Sequence, residues 1–391
     1  MIVTVNEKSG AAIQRAIDAV NAAGGGTVTL EAGVYDSGTL WLKSHVELHL
    51  APGAVLLGSP NWQDYDDFIH PEQPVTPEGS RKCFIGAADA EDIAVTGSGT
   101  IDGQGPMFYD RNVPEGSFFA KPPHPRTRMV QFFNCRNVRL EGVSFVDSPG
   151  WTMWLSECTD VFVDRIRIVG CQQMINNDGI DIDGCRNVTV TNSFFKTGDD
   201  CLILRAIRRK PEVPAVCENV LVSNCVVDSP CQGIRIGCPS DDTIRRCKFS
   251  SVVFHCRGNG ILCQHPHRYL RKDCTGYADI SDISFRDFDI ECGRRPISVV
   301  CEDGISLRGI RRLSFEDLRI RAGEPILLSG NAASVLSDIE LSRISGTVAG
   351  ACPMELRYVR NLKLDRCDLT AETGEIQPLT REDSPSWETK F

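Results

Sequence analysis

Asn177-Asp178-Gly179-Ile180-Asp181-Ile182-Asp183 and Thr197-Gly198-Asp199-Asp200-Cys201-Leu202-Ile203-Leu204 read as two copies of one pattern. Each carries a turn-forming Gly, an Asp in the same place and then an alternating apolar run. With Asp178 set on Asp199, Ile180 falls on Cys201 and Ile182 on Ile203, an offset of 21 residues. An alternation of period two is the signature of a strand, and a fixed offset between similar strands is that of a solenoid coil.

Outward from this pair the same rhythm continues. Units begin near Asn137-Val138-Arg139-Leu140, Asp160-Val161-Phe162-Val163, Asn187-Val188-Thr189-Val190 and Asn219-Val220-Leu221-Val222, and later ones near Ile244, Ile280, Ile310, Val335 and Asn361. The spacing runs from roughly 21 to 37 residues, which means short strands joined by loops of variable length. Cys135, Cys158, Cys185 and Cys217 each stand two residues ahead of the Asn or Asp that opens a unit. A cysteine at a fixed place in a repeat forms a stacked column of small buried side chains. Leucine-rich repeats lack a match in the Leu pattern, and helical repeats have the wrong period. The fold predicted is all-β: a single right-handed parallel β-helix over residues 1–375, with a polar C-terminal tail at 376–391.

At the N-terminus, Ala12, Ile13, Ala16, Ile17 and Val20 make one apolar face of a helix spanning about 10–23, stopped by Gly24-Gly25-Gly26. One helix leading into strands suits a cap over the end of a solenoid. Residues 59–82 and 103–128 are insertions rich in Pro, aromatic and charged residues, the kind of long loop that carries function on a regular scaffold.

Composition narrows the partners. The chain of 391 residues has a net charge of −10, which argues against nucleic acid and anionic membrane as partners. No apolar run approaches the length of a membrane span. The N-terminus, Met1-Ile2-Val3-Thr4-Val5-Asn6-Glu7-Lys8, lacks the basic end and apolar core of a signal peptide. The 18 cysteines include no Cys-x-x-Cys, so no zinc site is expected. We read them as reduced core thiols of a cytoplasmic protein that needs no cofactor.

In stacked coils, equivalent residues lie about 4.8 Å apart. Asp178 and Asp199 are then vertical neighbours, with Asp200 beside them. In Ile180-Asp181-Ile182-Asp183 the Ile pair faces the core and the Asp pair faces outward. Carboxylates crowded on one face repel, so at least one has its pKa raised. Glycoside hydrolysis uses such a set: one acid protonates the leaving oxygen and another carboxylate activates water. A calcium site of stacked carboxylates and a solvated acidic face are the competing readings.

Asn177-Asp178-Gly179-Ile180-Asp181 and Gly198-Asp199-Asp200-Cys201 resemble the signature segments of the family-28 glycoside hydrolases, the polygalacturonases and their relatives. Gly99-Thr100-Ile101-Asp102-Gly103-Gln104-Gly105, Asn134-Cys135-Arg136-Asn137-Val138 and Ser148-Pro149-Gly150-Trp151-Thr152 are also similar to segments of that family, and the likeness covers about residues 10–370. The resemblance implies an inverting hydrolase of pectic or related acidic oligosaccharides, with Asp199 as general acid and Asp178 and Asp200 holding and activating the water; the expected cytoplasmic location favours short oligomers and exo action.

Two family motifs are altered. Where the family has Gly-His-Gly, this chain has Cys231-Gln232-Gly233, and Gln cannot relay a proton as His does. Where a later segment supplies the Arg and Lys that hold the substrate carboxylate, Leu262 and Gln264 stand instead. Candidate substrate contacts are therefore Asn177, Asp181, Gln232, Arg235, Gln264, His265, His267, Arg128 and Trp154. Several have two readings. Arg235, on the outward column of Asp181, either holds a substrate carboxylate or pairs with Asp181, and His265 and His267 are either cleft or plain loop residues. Arg126 and Arg128 either support a strand or meet substrate, and Trp154 is either a sugar-stacking platform or a covered aromatic. The alternative functions are a hydrolase of a rhamnogalacturonan-type or neutral glycoside, a calcium-dependent lyase, or a carbohydrate-binding β-helix.

Overall fold

The computed structural model describes residues 1–237, 242–269 and 278–372, together with the short strands Gln377–Pro378 and Trp387–Lys390. Most of the polar tail expected at 376–391 lies outside the described residues. The fold is a right-handed parallel β-helix, and the chain divides into two units, Met1–Asp199 and Asp200–Phe391.

The first unit opens with a helix, Gly10–Ala22. Ser9 caps it, its hydroxyl accepting the Ala12 N–H. Ile13, Ala16, Ile17 and Val20 are buried, as the apolar face predicts. Gly24 takes a left-handed φ of 89°, which ends the helix where a side chain would be strained.

Behind the helix, three rows of parallel strands build the coils. One row runs Gly26–Leu30, Val46–Leu50, Glu91–Gly97, Arg136–Glu141, Thr159–Asp164 and Arg186–Thr191. A second runs Gly33–Ser37, Ala54–Gly58, Thr100–Asp102, Ser144–Val146, Arg167–Val169 and Phe194–Lys196. The third runs Leu40–Trp41, Cys83–Ala88, Arg128–Phe133, Met153–Ser156 and Ile180–Asp183. Both insertions, and both acidic segments, fall at the corner that leads from the second row into the third.

The repeated Cys-x-Asn pattern has a physical basis at the turn before the first row. Asn137, Asp160, Asn187 and Asn219 all have left-handed φ values of 52–57°. Asn and Asp tolerate that region because their short side chains bond locally. Asn187 Nδ2 donates to Asp160 Oδ1 one coil below, 27 residues away, at 2.8 Å. Cys135, Cys158 and Cys185 point inward and are buried, each thiol donating to a main-chain carbonyl. The cysteines among the described residues are free thiols.

The second unit builds its coils differently. The first two rows merge into long bent strands: Val216–Ser229, Thr243–Cys256, Asp279–Cys292, Gly309–Ala322, Leu336–Val348 and Val359–Thr370. Its third row is Leu202–Arg205, Ile234–Ile236, Ile261–His265, Ile297–Cys301, Ile326–Ser329 and Met354–Arg357. Phe249, Phe285 and Phe315 stack through its core with centroids 5.1 and 4.9 Å apart and nearly parallel rings. That column is the aromatic form of the one-residue-per-coil repeat.

One register differs from the sequence expectation. Ile203 pairs with Arg235, while Leu202 and Leu204 pair with Ile234 and Ile236. Ile203 therefore sits on the same face as Arg235, opposite to the inward place that alignment with Ile182 gives it. The loop before this strand is one residue longer than the alignment allows, and a one-residue slip exchanges the faces of a strand.

Candidate active site

In the first unit the acidic segments are locked together through their main chains. Asn177 Oδ1 accepts the Gly198 N–H at 2.8 Å, across the 21 residues of one coil. Asn176 N–H donates to Asp199 Oδ2 at 2.8 Å. Asn177 Nδ2 donates to the Cys171 carbonyl at 3.0 Å. Gly198 is required by this contact: a Cβ there would lie 2.2 Å from the Met174 carbonyl oxygen and 2.6 Å from Asn177 Oδ1. Asp178 is buried, whereas Asp199 is half-buried and keeps an exposed edge. Asn177 is a buried bridge between the two loops rather than an open surface group.

The outward face of the third row is roofed. Trp154 pairs in register with Asp181, and its Nε1–H donates to Asp183 Oδ2 at 3.0 Å. Asp181 and Asp183 are fully buried, which corrects the expectation of an open acidic face. The cover comes from the insertion at 59–82. Gln73 Nε2 donates to Ser156 Oγ at 3.0 Å, and Arg128 Nη1 donates to the Ser80 carbonyl at 2.7 Å.

Arg128 and Trp154 are corrected for the same reason. Trp154 is only 1% exposed, so no sugar ring can stack on it. The Arg128 guanidinium lies 4.8 Å from the Trp154 ring centroid and 5.2 Å from that of Trp151. Burial pulls the Arg128 pKa down to about 10, opposed by the nearby Asp181 carboxylate. Arg128 is thus a strut of the roof.

In the second unit, Asp200 is buried against Arg235. Arg235 Nη1 donates to Asp200 Oδ2 at 3.1 Å, and Nη2 donates to Gln264 Oε1 at 3.4 Å. The guanidinium also lies 5.9 Å from the Tyr269 ring centroid. Asp200 Oδ1 accepts the Gln232 N–H at 3.2 Å. Gln232 Oε1 in turn accepts from Asn259 N–H at 3.1 Å and from Asn259 Nδ2 at 2.8 Å. Arg235 forms an ion pair with Asp200, where the sequence pattern pointed to Asp181 as the partner. Leu262, across from Arg235 in the next coil, is buried and adds no charge.

The two histidines separate. His265 is buried, and its Nε2 has no hydrogen-bond partner. Burial lowers its pKa to about 4, so it is neutral at ordinary pH. Its ring presses on Gly237, where a Cβ would lie 3.1 Å from Nε2. His267 is exposed and bound to a neighbouring turn, with its N–H on Glu302 Oε2 at 2.7 Å and Nε2 on the Asp303 carbonyl at 2.6 Å. Gln232 and Asn259 precede third-row strands, whereas His265 and His267 end or follow one, so they belong to opposite corners of the coil.

Sequence reasoning passed over Asn176, Tyr109 and Asn259. Asn176 carried a readable signal, since an Asn beside the acidic motif is a candidate for a left-handed turn, and its φ is 58°. Tyr109 lies in an insertion without repeat register and carried none.

Residues 73–213 match the family model "Glycosyl hydrolases family 28". The endo-polygalacturonase of Pectobacterium carotovorum subsp. carotovorum is 26% identical over 310 residues, 70% of this chain and 76% of that protein. An Arabidopsis thaliana protein named "Probable polygalacturonase" is 28% identical over 180 residues, 41% of this chain and 37% of its own length. The chain spans less than two thirds of the first three curated relatives it matches, at 37%, 63% and 37% of their lengths. The solved exopolygalacturonase of Thermotoga maritima superposes with a TM-score of 0.73 at 21% identity, over 94% of this chain and 91% of that one, which supports the fold. Over residues 73–213 the chain is thus similar to the family-28 glycoside hydrolases, and the endo-polygalacturonase extends the likeness to 70% of its length.

Proposed function

We propose that this protein hydrolyses glycosidic bonds in pectic or related acidic oligosaccharides, with inversion at the anomeric carbon. One observation carries the reading: the Asp178 and Asp199 loops are pinned to each other by the Asn176–Asp199 and Gly198–Asn177 bonds. The Asp199 carboxylate, fixed by the Asn176 N–H, is held in place before substrate arrives, which is what acid–base catalysis needs. Asp199, with its exposed edge, is the general acid that passes its proton to the leaving oxygen. Asp178 and Asp200 take up the water proton as the new bond forms on the opposite face. Relatives named endo-polygalacturonase and exopolygalacturonase support the substrate class, and exo action on short oligomers is the mode that a cytoplasmic location favours.

A second reading, a hydrolase for a rhamnogalacturonan-type or neutral glycoside, is favoured by Arg235. Its guanidinium is engaged by Asp200 and Gln264, so a substrate carboxylate would have to share it. A panel of acidic, rhamnogalacturonan-type and neutral oligosaccharides assayed with wild type and Asp199→Asn separates the two. Cleavage of acidic oligomers by wild type alone supports the first reading, and cleavage of the neutral set alone supports the second. No cleavage of any, or full rate in Asp199→Asn, removes both.

The cytoplasm is the compartment we propose, because the described cysteines are free thiols, several stacked in the core. Subcellular fractionation of the native host tests this, and recovery from the culture medium would overturn it.

A further inference from the structure

We propose that Arg126 is a positioning residue for Asp199, acting through the left-handed turn at Asn176. The inference rests on the proposed role of Asp199 as general acid. Arg126 lies near the end of the 103–128 insertion and is buried. Its Nη2 donates to Asn176 Oδ1 at 3.0 Å, and its Nη1 donates to the Ile175 carbonyl at 2.9 Å and to the Tyr109 hydroxyl oxygen at 2.8 Å. The Tyr109 hydroxyl shares its hydrogen between the Ile175 and Pro149 carbonyls, at 2.6 and 2.9 Å. Burial first, and then the Asp199 and Asp178 charges, push the Tyr109 pKa up to about 12, with Arg126 opposing. The phenol therefore stays a donor wherever the enzyme works.

Asn176 carries this clamp to the acid. Its side chain is held by Arg126 while its main-chain N–H points at Asp199 Oδ2. Asn tolerates its left-handed φ of 58°, and the bond from Arg126 to its side chain fixes the turn that it makes there. Arg126 supplies that hold from an insertion, outside the coil repeat. The Arg126 bonds go to Asn176, Ile175 and Tyr109 rather than to the acid; it fixes the donor that orients the acid.

The consequence has a sign. An N–H donated to a carboxylate favours the ionised form. Loosening the Asn176 turn weakens that bond, so the protonation midpoint of Asp199 rises. A general acid works only while protonated, so the alkaline limb of the rate profile moves to higher pH. The maximum rate falls as orientation is lost.

The test compares wild type, Arg126→Ala and Arg126→Lys, with the Asp199 carboxyl carbon titrated by NMR and assigned by its loss in Asp199→Asn. We expect the midpoint in Arg126→Ala to rise by about half a unit to one unit. We expect kcat to fall roughly 10- to 100-fold with KM little changed. Lys cannot span both acceptors and recovers part of each effect. An unchanged Asp199 midpoint with only a lowered melting temperature would make Arg126 merely structural and overturn the proposal. If Arg126→Ala does not fold, Tyr109→Phe carries the same prediction with a smaller shift. The titration needs no turnover: wild type without hydrolytic activity sinks the functional reading, whereas an unmoved midpoint sinks this one.

Discussion

The acidic loops of residues 170–199 and the cluster around 232–265 stand on the same kind of coil and are held in different ways. In the first, the main chain does the holding: Asn176 N–H reaches Asp199 and Gly198 N–H reaches Asn177. In the second, a side-chain clamp is added to main-chain donors: Arg235 holds Asp200 and Gln264, and Asn259 Nδ2 holds Gln232, while the Gln232 N–H reaches Asp200 and the Asn259 N–H reaches Gln232. A main-chain clamp depends on backbone shape and restricts residue choice to Gly and Asn at given places. A side-chain clamp depends on one partner matching another, and both can be exchanged together. The difference teaches where exchange is tolerated: Gly198 and Asn176 answer to backbone shape, whereas Arg235 and Gln264 can change together.

The comparison breaks most sharply at Gly198. Gly198→Ala drives a Cβ into the Met174 carbonyl and Asn177 Oδ1, so the loop must shift. Displacement of a catalytic group by about 1 Å costs on the order of 100-fold in rate. Steady-state kinetics should show that loss in kcat, with secondary structure intact by circular dichroism. Full activity would mean that the main-chain clamp is not needed.

Arg235→Ala removes one partner of a buried ion pair, both side chains being less than a tenth exposed. The expected loss is about 3–5 kcal/mol of unfolding free energy, measured by denaturant titration. In the Asp200→Asn background the same substitution should cost much less, because the carboxylate charge is already gone. A rise in KM without loss of stability would instead make Arg235 a substrate contact.

His265 gives a pH-dependent contrast within the second region. Its folded pKa of about 4 lies below the ordinary 6.5. As pH falls, the unfolded chain takes the proton first, so stability held above pH 6.5 is lost on the way to pH 4. The gap corresponds to about 3 kcal/mol. His265→Phe gives up no bond at Nε2 and should remove that part of the slope, read as the difference between the two proteins' unfolding free energies across pH 4–7. Parallel curves would show that His265 is not the group responsible.

Much of this was legible in the sequence where local chemistry repeats. The Asn and Asp at unit starts, their left-handed turns, the inward Cys column and the cap helix all follow from spacing and residue type. The roof over the third row was not legible. Alternation told that Asp181 and Asp183 face away from the core, but not that Trp154 and the 59–82 insertion cover them. The slip at Ile203 escaped for a related reason: both acidic segments look alike, yet an extra loop residue reverses the strand's faces. Arg126, Arg128 and Tyr109 lie in or beside insertions, where no periodicity says what a side chain meets. Among the candidate contacts, Arg128, Trp154 and His265 are large or charged groups that the fold buries, which only the packing reveals.

The most direct test of the account is the product of the reaction followed from its first seconds. Proton NMR of an acidic oligosaccharide during cleavage by wild type should show the first-formed sugar with the anomeric configuration opposite to that of the bond cut. Asp199→Asn should be slower by about 100- to 10,000-fold. Retained configuration, or an Asp199→Asn variant that cleaves at the wild-type rate, would contradict the account.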